Sequence, residues 1–243
     1  MQVYVEPVEA SEEDLLRGVL ADRERRRGAV LVTRLGTREH GLVHPLEGGG
    51  SDSPLEAAAR AALLEDRSRV FETPEGDVFL QVHNPSLRMV VVGAVHIAQA
   101  LAPMAALVGF DVTVVDPRRA FASDARFPGV HLVRAWPNEV LPELAVDHRT
   151  AVVTLSHDPK LDDPALEAAL RSRAFYVGAL GSRRTHAKRV QRLTEMGFGE
   201  ADLERIHAPV GLDIGAVSPA EIALSALAQV VERLRTGDGA SSA

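Results

Sequence analysis

Short apolar runs alternate with amphipathic stretches along the second half of the chain. The runs, each typical of a strand buried on both faces, are 88–92, 112–115, 130–133, 151–155 and 174–177. Helical periodicity is found between or after them at 96–108, 163–173, 185–196 and 219–235. This strand–helix alternation predicts a Rossmann-like, doubly wound α/β sheet that is mostly parallel.

The last helix has the clearest start signal. Ser218 is a capping residue, Pro219 follows at the first helical position, and Glu221 stands three residues after the cap. We expect the tail after this helix, 236–243, to be disordered.

The first part of the chain is smaller and less regular. Its patterns predict helices at 12–27 and 54–65, strands at 29–33 and 78–82, and a turn-rich segment at 46–54. Asn84, Pro85 and Ser86 mark the expected boundary. We therefore predict a small, abbreviated α+β domain over 1–85 and a Rossmann-like domain over 86–243.

The first strand of the second domain leads into a turn that resembles a dinucleotide-binding fingerprint. Gly93, Val95 and Ala98 occupy the three positions where Gly-x-Gly-x-x-Gly is usual. The branched side chain of Val95 is expected to stand where a pyrophosphate would lie. Asp116 ends the next strand at close to the offset of about 20 residues expected for a ribose-binding carboxylate. Arg118 follows as a candidate phosphate contact.

Two later strand ends are expected to face the same crevice, because ligands in such sheets bind outside the carboxyl ends of the strands. One is the segment 156–159. The other contains Gly181 and Ser182 at a predicted helix start, with Arg183 and Arg184 supplying positive charge. Together these groups form a candidate anion site.

A third loop, containing Gly211 and Asp213, also leads into a helix. His96, His157 and Asp158 are candidates for an acid/base pair or metal ligands, with local backbone capping as the plainer alternative. Their spacing does not match a metal motif, so we predict no metal site and no catalytic constellation.

Composition restricts the classes of function. The chain has 243 residues, 46% hydrophobic and 25% charged, which is ordinary for a globular protein. Its formal net charge of −7 argues against nucleic-acid binding, and the absence of cysteine excludes disulfides and thiolate ligands within this chain. Without an apolar run of about 18 residues or a signal-peptide pattern, we expect no membrane contact and a cytoplasmic location.

A series of motifs, all in order over about 150 residues, resembles the second domain of the XdhC/CoxI-like proteins. These proteins are accessory factors for molybdenum hydroxylases such as xanthine dehydrogenase. The motifs are the segments 91–102, 115–118, 126–128, 154–162, 176–185, 209–215 and 218–225.

The resemblance implies a maturation chaperone rather than an enzyme. Such a chaperone binds the molybdenum cofactor, a pyranopterin carrying a phosphate or dinucleotide, and delivers it to an apo-hydroxylase. It also implies a cysteine desulfurase as a further partner, and a homodimer. There are two departures: Val95 replaces the family's second glycine, and the first domain, where 28–33 and 48–50 are similar to the family, is shortened.

Two alternatives remain open at this level. Gly93 and Asp116 also fit an NAD(P)-dependent oxidoreductase, which Val95 disfavours, and a ligand-free scaffold would recruit the client enzyme without filling the crevice. The candidate cofactor-binding residues are Gly93, Ala94, His96, Asp116, Arg118, His157, Asp158, Gly178, Gly181, Ser182, Arg183, Arg184, Gly211 and Asp213.

Overall fold

The computed structural model of the protein describes residues 5–7, 12–47 and 53–236. These divide into two compact units, one formed by the described residues up to Pro85 and the other by Ser86–Arg235. Part of the turn-rich segment, 48–52, lies outside the described residues, as does the tail from 237 to 243. Thr236, expected in that tail, is the last residue of a helix.

The first unit is a four-stranded antiparallel sheet with the strand order β2-β1-β4-β3. Its elements are α1 (Glu13–Glu24), β1 (Ala29–Arg34), β2 (His40–Val43), α2 (Pro54–Leu64), β3 (Arg69–Thr73) and β4 (Gly76–His83). Sequence reasoning missed β2 and β3, because none of their side chains is fully buried and neither strand forms a distinct apolar run.

The second unit contains twelve elements in the described residues. They are β5 (Leu87–Val92), α3 (His96–Leu107), β6 (Phe110–Val115), β7 (His131–Val133), α4 (Pro137–Glu143), β8 (Thr150–Thr154), α5 (Pro159–Arg171), β9 (Tyr176–Ala179), α6 (Arg183–Glu195), α7 (Glu200–Leu203), β10 (Ile206–His207) and α8 (Pro219–Thr236).

The six strands of this unit are all parallel and follow the order β10-β9-β8-β5-β6-β7. The chain begins at β5, runs outward through β6 and β7, and then crosses to β8 on the other side of β5. Strand order therefore reverses between β5 and β8, which is the switch point where ligands bind in such sheets. The predicted Rossmann-like fold is confirmed.

Alternate side chains of the central strands divide the core into two layers. Met89 and Val91 pack with α3 and α8 on one face, while Val90, Val92 and Val152 pack with α5 and α6 on the other. Both faces of the sheet are thus covered, which explains the continuous apolar runs. Among the described residues, no helix combines the length and apolarity that crossing a bilayer requires.

Some element boundaries differ from the sequence prediction. Helix α5 begins at Pro159 instead of 163, because the carboxylate of Asp158 caps it by accepting from the Lys160 amide at 3.0 Å. Strand β9 lies two residues later than predicted. Pro103 lies inside α3, which continues to Leu107.

The packing of α3 can be tested with a matched pair of leucines. Leu101 is fully buried in the core, whereas Leu107, on the same helix, is 87% exposed. Leu101→Ala should lower the free energy of unfolding by about 2–5 kcal/mol, because it leaves a cavity. Leu107→Ala should change it by less than about 0.5 kcal/mol. Urea denaturation of both variants measures the difference, and equal effects would contradict the assigned layer.

Candidate functional site

The turn after β5 lies against the end of β8, at the switch point. Gly93 has a φ of +103°, and a Cβ built on it would lie 2.9 Å from the backbone nitrogen of Ser156. Glycine is required here both by the backbone conformation and by this close approach. The first fingerprint position is therefore explained by contact between two strand ends, before any ligand is considered.

The carboxylate of Asp116 holds the same turn from the other side. Its Oδ2 accepts from the Ala94 amide at 2.8 Å and from Nη2 of Arg118 at 2.7 Å. Its Oδ1 accepts from the amide and Nε of Arg118, both at 2.9 Å. These four bonds use the acceptor capacity of the two oxygens, and the residue is 0% exposed.

This geometry corrects the expected role of Asp116. A buried carboxylate whose acceptor positions are occupied cannot also accept from ribose hydroxyls without breaking these bonds. Burial acts to raise the pKa of Asp116, but the hydrogen bonds from Arg118 and Ala94 outweigh it and hold that pKa below its ordinary value. Asp116 is a positioning group for the turn and for Arg118.

Arg118 is thereby fixed beside the crevice. Its guanidinium stacks on the ring of Phe121 at 4.3 Å from the ring centroid, and it is close enough to Asp158 and Asp162 for their charges to raise its pKa, after the larger effect of Asp116. The sequence placed Arg118 near a ligand phosphate, and the structure leaves its guanidinium partly exposed at this edge.

Arg126 braces the turn, a role that sequence reasoning did not assign. Its Nη1 donates to the carbonyl oxygen of Ala94 at 2.9 Å, and its Nη2 donates to Oε1 of Gln99 at 2.9 Å. The signal available in the sequence was its place in the motif 126–128. The contact itself joins residues more than thirty positions apart.

Four longer helices begin near the carboxyl edge of the sheet, and they differ in how their first turns are closed. Asp158 caps α5, and the carboxylate of Glu221 accepts from the amides of Val217 and Ser218 at the start of α8. Hydrogen bonds from these two amides hold the pKa of Glu221 below its usual value. These two ends already carry a negative charge, which satisfies the helix dipole.

Helices α3 and α6 have no acidic residue in their first turns. Val95 gives α3 no side-chain cap, and the amides of His96 and Ile97 donate no bond within the described part of the chain. Ser182 caps only the Thr185 amide of α6, so those of Arg183 and Arg184 are equally unbonded there. Both ends are suited to an anion.

His157 and Asp158 follow β8 at the same edge. His157 is exposed and has a φ of +61°, a conformation that non-glycine residues seldom adopt, while Asp158 is engaged in capping α5. His96 is exposed at the first position of α3. Across the described ranges, no group of three or more His, Cys, Asp or Glu side chains is placed to hold a metal ion.

Two other glycines of the candidate site are required by packing. A Cβ on Gly178 would lie 2.7 Å from Cε1 of Tyr176, and one on Gly211, whose φ is +101°, would collide with the hydroxyl of Ser225. The Gly211 amide also donates to Gln229 of α8 at 2.9 Å. The loop 209–215 is therefore anchored to α8, with Asp213 exposed on it.

A buried polar cluster next to the crevice was missed in the sequence. Ser156 donates to Oδ1 of Asp162 at 2.6 Å, and Nη2 of Arg189 lies 3.6 Å from the other oxygen of that carboxylate. Asp162 and Arg189 are both almost completely buried. The available signal was a charged residue four positions before the buried Leu193 on one face of α6.

The model of the XdhC Rossmann domain matches residues 89–230. The chain is 36% identical over 146 residues to the molybdenum cofactor insertion chaperone PaoD of Escherichia coli K12. It is 31% identical over 186 residues to a Bacillus subtilis 168 protein named as a probable xanthine dehydrogenase component. These alignments cover 60% and 76% of this chain.

A crystal structure described as a xanthine dehydrogenase from Bacillus halodurans is also similar, with a TM-score of 0.69 and 25% identity. That match covers 98% of this chain and 68% of the other. The chain spans only 40% of the length of PaoD and 54% of that of the Bacillus subtilis relative.

The role of Asp116 generates a stability prediction. Asp116→Asn replaces an acceptor oxygen with an NH2 group facing donors, so it should lower the free energy of unfolding at pH 7 by about 1–3 kcal/mol. Because the folded-state pKa of Asp116 is depressed, its contribution is present above the unfolded pKa of about 3.9 and is lost as pH falls through the folded value. Urea denaturation at pH 7 and in acid should show the difference between wild type and variant shrinking. A pH-independent difference would contradict this role.

Proposed function

Since the chain belongs to the XdhC family, we propose that it is an accessory factor for a molybdenum hydroxylase, binding the molybdenum cofactor as cargo and passing it to the apo-enzyme. The similarity to PaoD, whose name describes a cofactor insertion chaperone, supports this proposal. Delivery, client and cargo are all part of the proposal, because the chain covers only part of its relatives.

The observation that carries the proposal is the pair of open helix N-termini at one sheet edge. The amides at the starts of α3 and α6 have no partner within the described ranges, and neither first turn contains an acid. Arg183 and Arg184 place positive charge at the positive end of the α6 dipole, which is unfavourable unless an anion binds there. A phosphate-bearing pyranopterin supplies such an anion.

The same geometry weakens the alternative of an NAD(P)-dependent oxidoreductase. Asp116 has no acceptor position left for ribose hydroxyls, since Arg118 and Ala94 occupy them. Val95 is half-buried and packs against the core beside α3, so the steric objection based on its side chain is secondary. The argument against a dinucleotide therefore rests on Asp116.

The partners belong to the proposal as well. A molybdenum hydroxylase of the xanthine dehydrogenase type is the proposed client, in keeping with the names of the relatives. A cysteine desulfurase and a second copy of the chain are proposed from the family resemblance alone. Pull-down from a cofactor-producing host and light scattering of the purified chain test these two.

Cofactor retention tests the proposed cargo site. We expect pterin, measured by fluorescence after oxidation, to copurify with wild type and to bind about tenfold more weakly to the double variant Arg183→Gln, Arg184→Gln, because two positive charges are lost at the α6 terminus. Arg173→Gln, exposed just after the opposite end of α5, is the matched control and should bind like wild type.

Three results would count against the proposal. Absence of pterin from the wild-type protein would refute cofactor binding, and client pull-down without pterin would favour the scaffold hypothesis. Micromolar binding of NAD or NADP would favour the oxidoreductase.

A further inference from the structure

Arg189 is a buried cation with unused hydrogen-bonding capacity. Its side chain is 2% exposed, and its Nη2 donates to the carbonyl oxygen of Leu180 at 3.0 Å. Its Nε and Nη1 have no partner in the part of the chain that the structure describes. Because an unsatisfied buried donor costs free energy, this arrangement points to a group that is bound there.

The hydroxyl of Thr154 lies in the same region and is also buried without a partner among the described residues. Thr154 is the last residue of β8, and its side chain falls on the same face as that of Val152, toward α5 and α6. The Leu180 amide donates to the Thr154 carbonyl oxygen at 2.9 Å. Leu180 therefore connects Thr154 directly to Arg189.

This position is next to the open end of α6. Leu180 immediately precedes Gly181 and the capping Ser182, so a guanidinium bonded to its carbonyl oxygen lies beside the first turn of the helix. Helical side chains point toward the N-terminus, which brings Arg189 back from its own position to this end. A buried arginine and two unbonded amides thus approach one region from two sides.

The neighbouring carboxylates do not satisfy Arg189. Asp163 is bonded to Arg192, and Asp162 is bonded to Ser156 and remains 3.6 Å from Nη2 of Arg189. Burial lowers the pKa of Arg189 and raises that of Asp162, which indicates that each charge is incompletely compensated.

We propose that one compact oxyanion, chemically a phosphate group, binds between Arg189 and the first turn of α6. Nε and Nη1 of Arg189 and the hydroxyl of Thr154 donate to it from the core side, and the amides of Arg183 and Arg184 donate from the helix end. The proposal rests on the proposed function in one respect: the phosphate of the cargo is the natural occupant.

Asp162 has the opposite effect on this site. Its carboxylate is the negative group closest to Arg189, so it repels an incoming oxyanion and competes for the guanidinium. Replacing Asp162 with asparagine removes that charge, while the amide oxygen can still accept from Ser156. Two neighbouring substitutions should therefore change phosphate affinity in opposite directions, which a purely structural ion pair would not produce.

The experiment is titration of the full chain with inorganic phosphate, followed by calorimetry and by thermal unfolding, with chloride at matched ionic strength. Wild type should bind saturably. Arg189→Met should bind at least tenfold more weakly, Thr154→Val several-fold more weakly, and Asp162→Asn at least threefold more tightly. Arg173→Gln is the control and should be unchanged.

Some outcomes would overturn the site. They are equal stabilisation by chloride and phosphate, wild-type affinity in Arg189→Met, or weaker binding in Asp162→Asn. If Arg189→Met does not fold, Thr154→Val and Asp162→Asn still decide, since their predicted shifts have opposite signs.

The result is separable from cofactor binding. Saturable phosphate binding by a protein that never copurifies with pterin would support this site and refute the proposed function. Unaltered pterin and phosphate binding in Arg189→Met would refute the site alone.

Discussion

The close approach of Gly93 to Ser156 is the constraint on which the rest of this site depends. At the switch point, the loops after β5 and β8 leave adjacent strands in opposite directions, and a side chain at Gly93 would collide with the Ser156 backbone. With that contact made, α3 starts beside the end of β8, and Ser156 is placed to donate to Asp162. The crevice and the buried cluster next to it are therefore parts of one packing arrangement.

Electrostatics then distinguishes among the helices that begin at this edge. Carboxylates of the chain itself close α5 and α8, whereas α3 and α6 begin without an acid and α6 begins with two arginines. Because helix dipoles act over about one turn, this difference localises the attraction for an anion to two ends. Together with Arg118 and Arg189, it directs the site toward holding a phosphate-bearing group.

The glycine-rich motifs have a different meaning in three dimensions. Gly93, Gly178 and Gly211 each lie where a Cβ would meet protein atoms, so all three are required by packing. The expected ribose acceptor, Asp116, is occupied by Arg118 and Ala94. Features that suggest a dinucleotide enzyme instead form a rigid edge, which suits a protein that binds a cofactor for another enzyme.

Sequence alone determined the alternation of strands and helices, the helix starts at Ser182 and Ser218, and the resemblance to the family, because these signals are local or lie in a fixed order. It missed β2 and β3, whose half-exposed positions give little periodic signal. Only the tertiary structure decided that the acceptors of Asp116 are filled and that Arg189 is buried with unbonded nitrogens. The physical reason is that burial and hydrogen-bond satisfaction depend on partners brought together from distant parts of the chain.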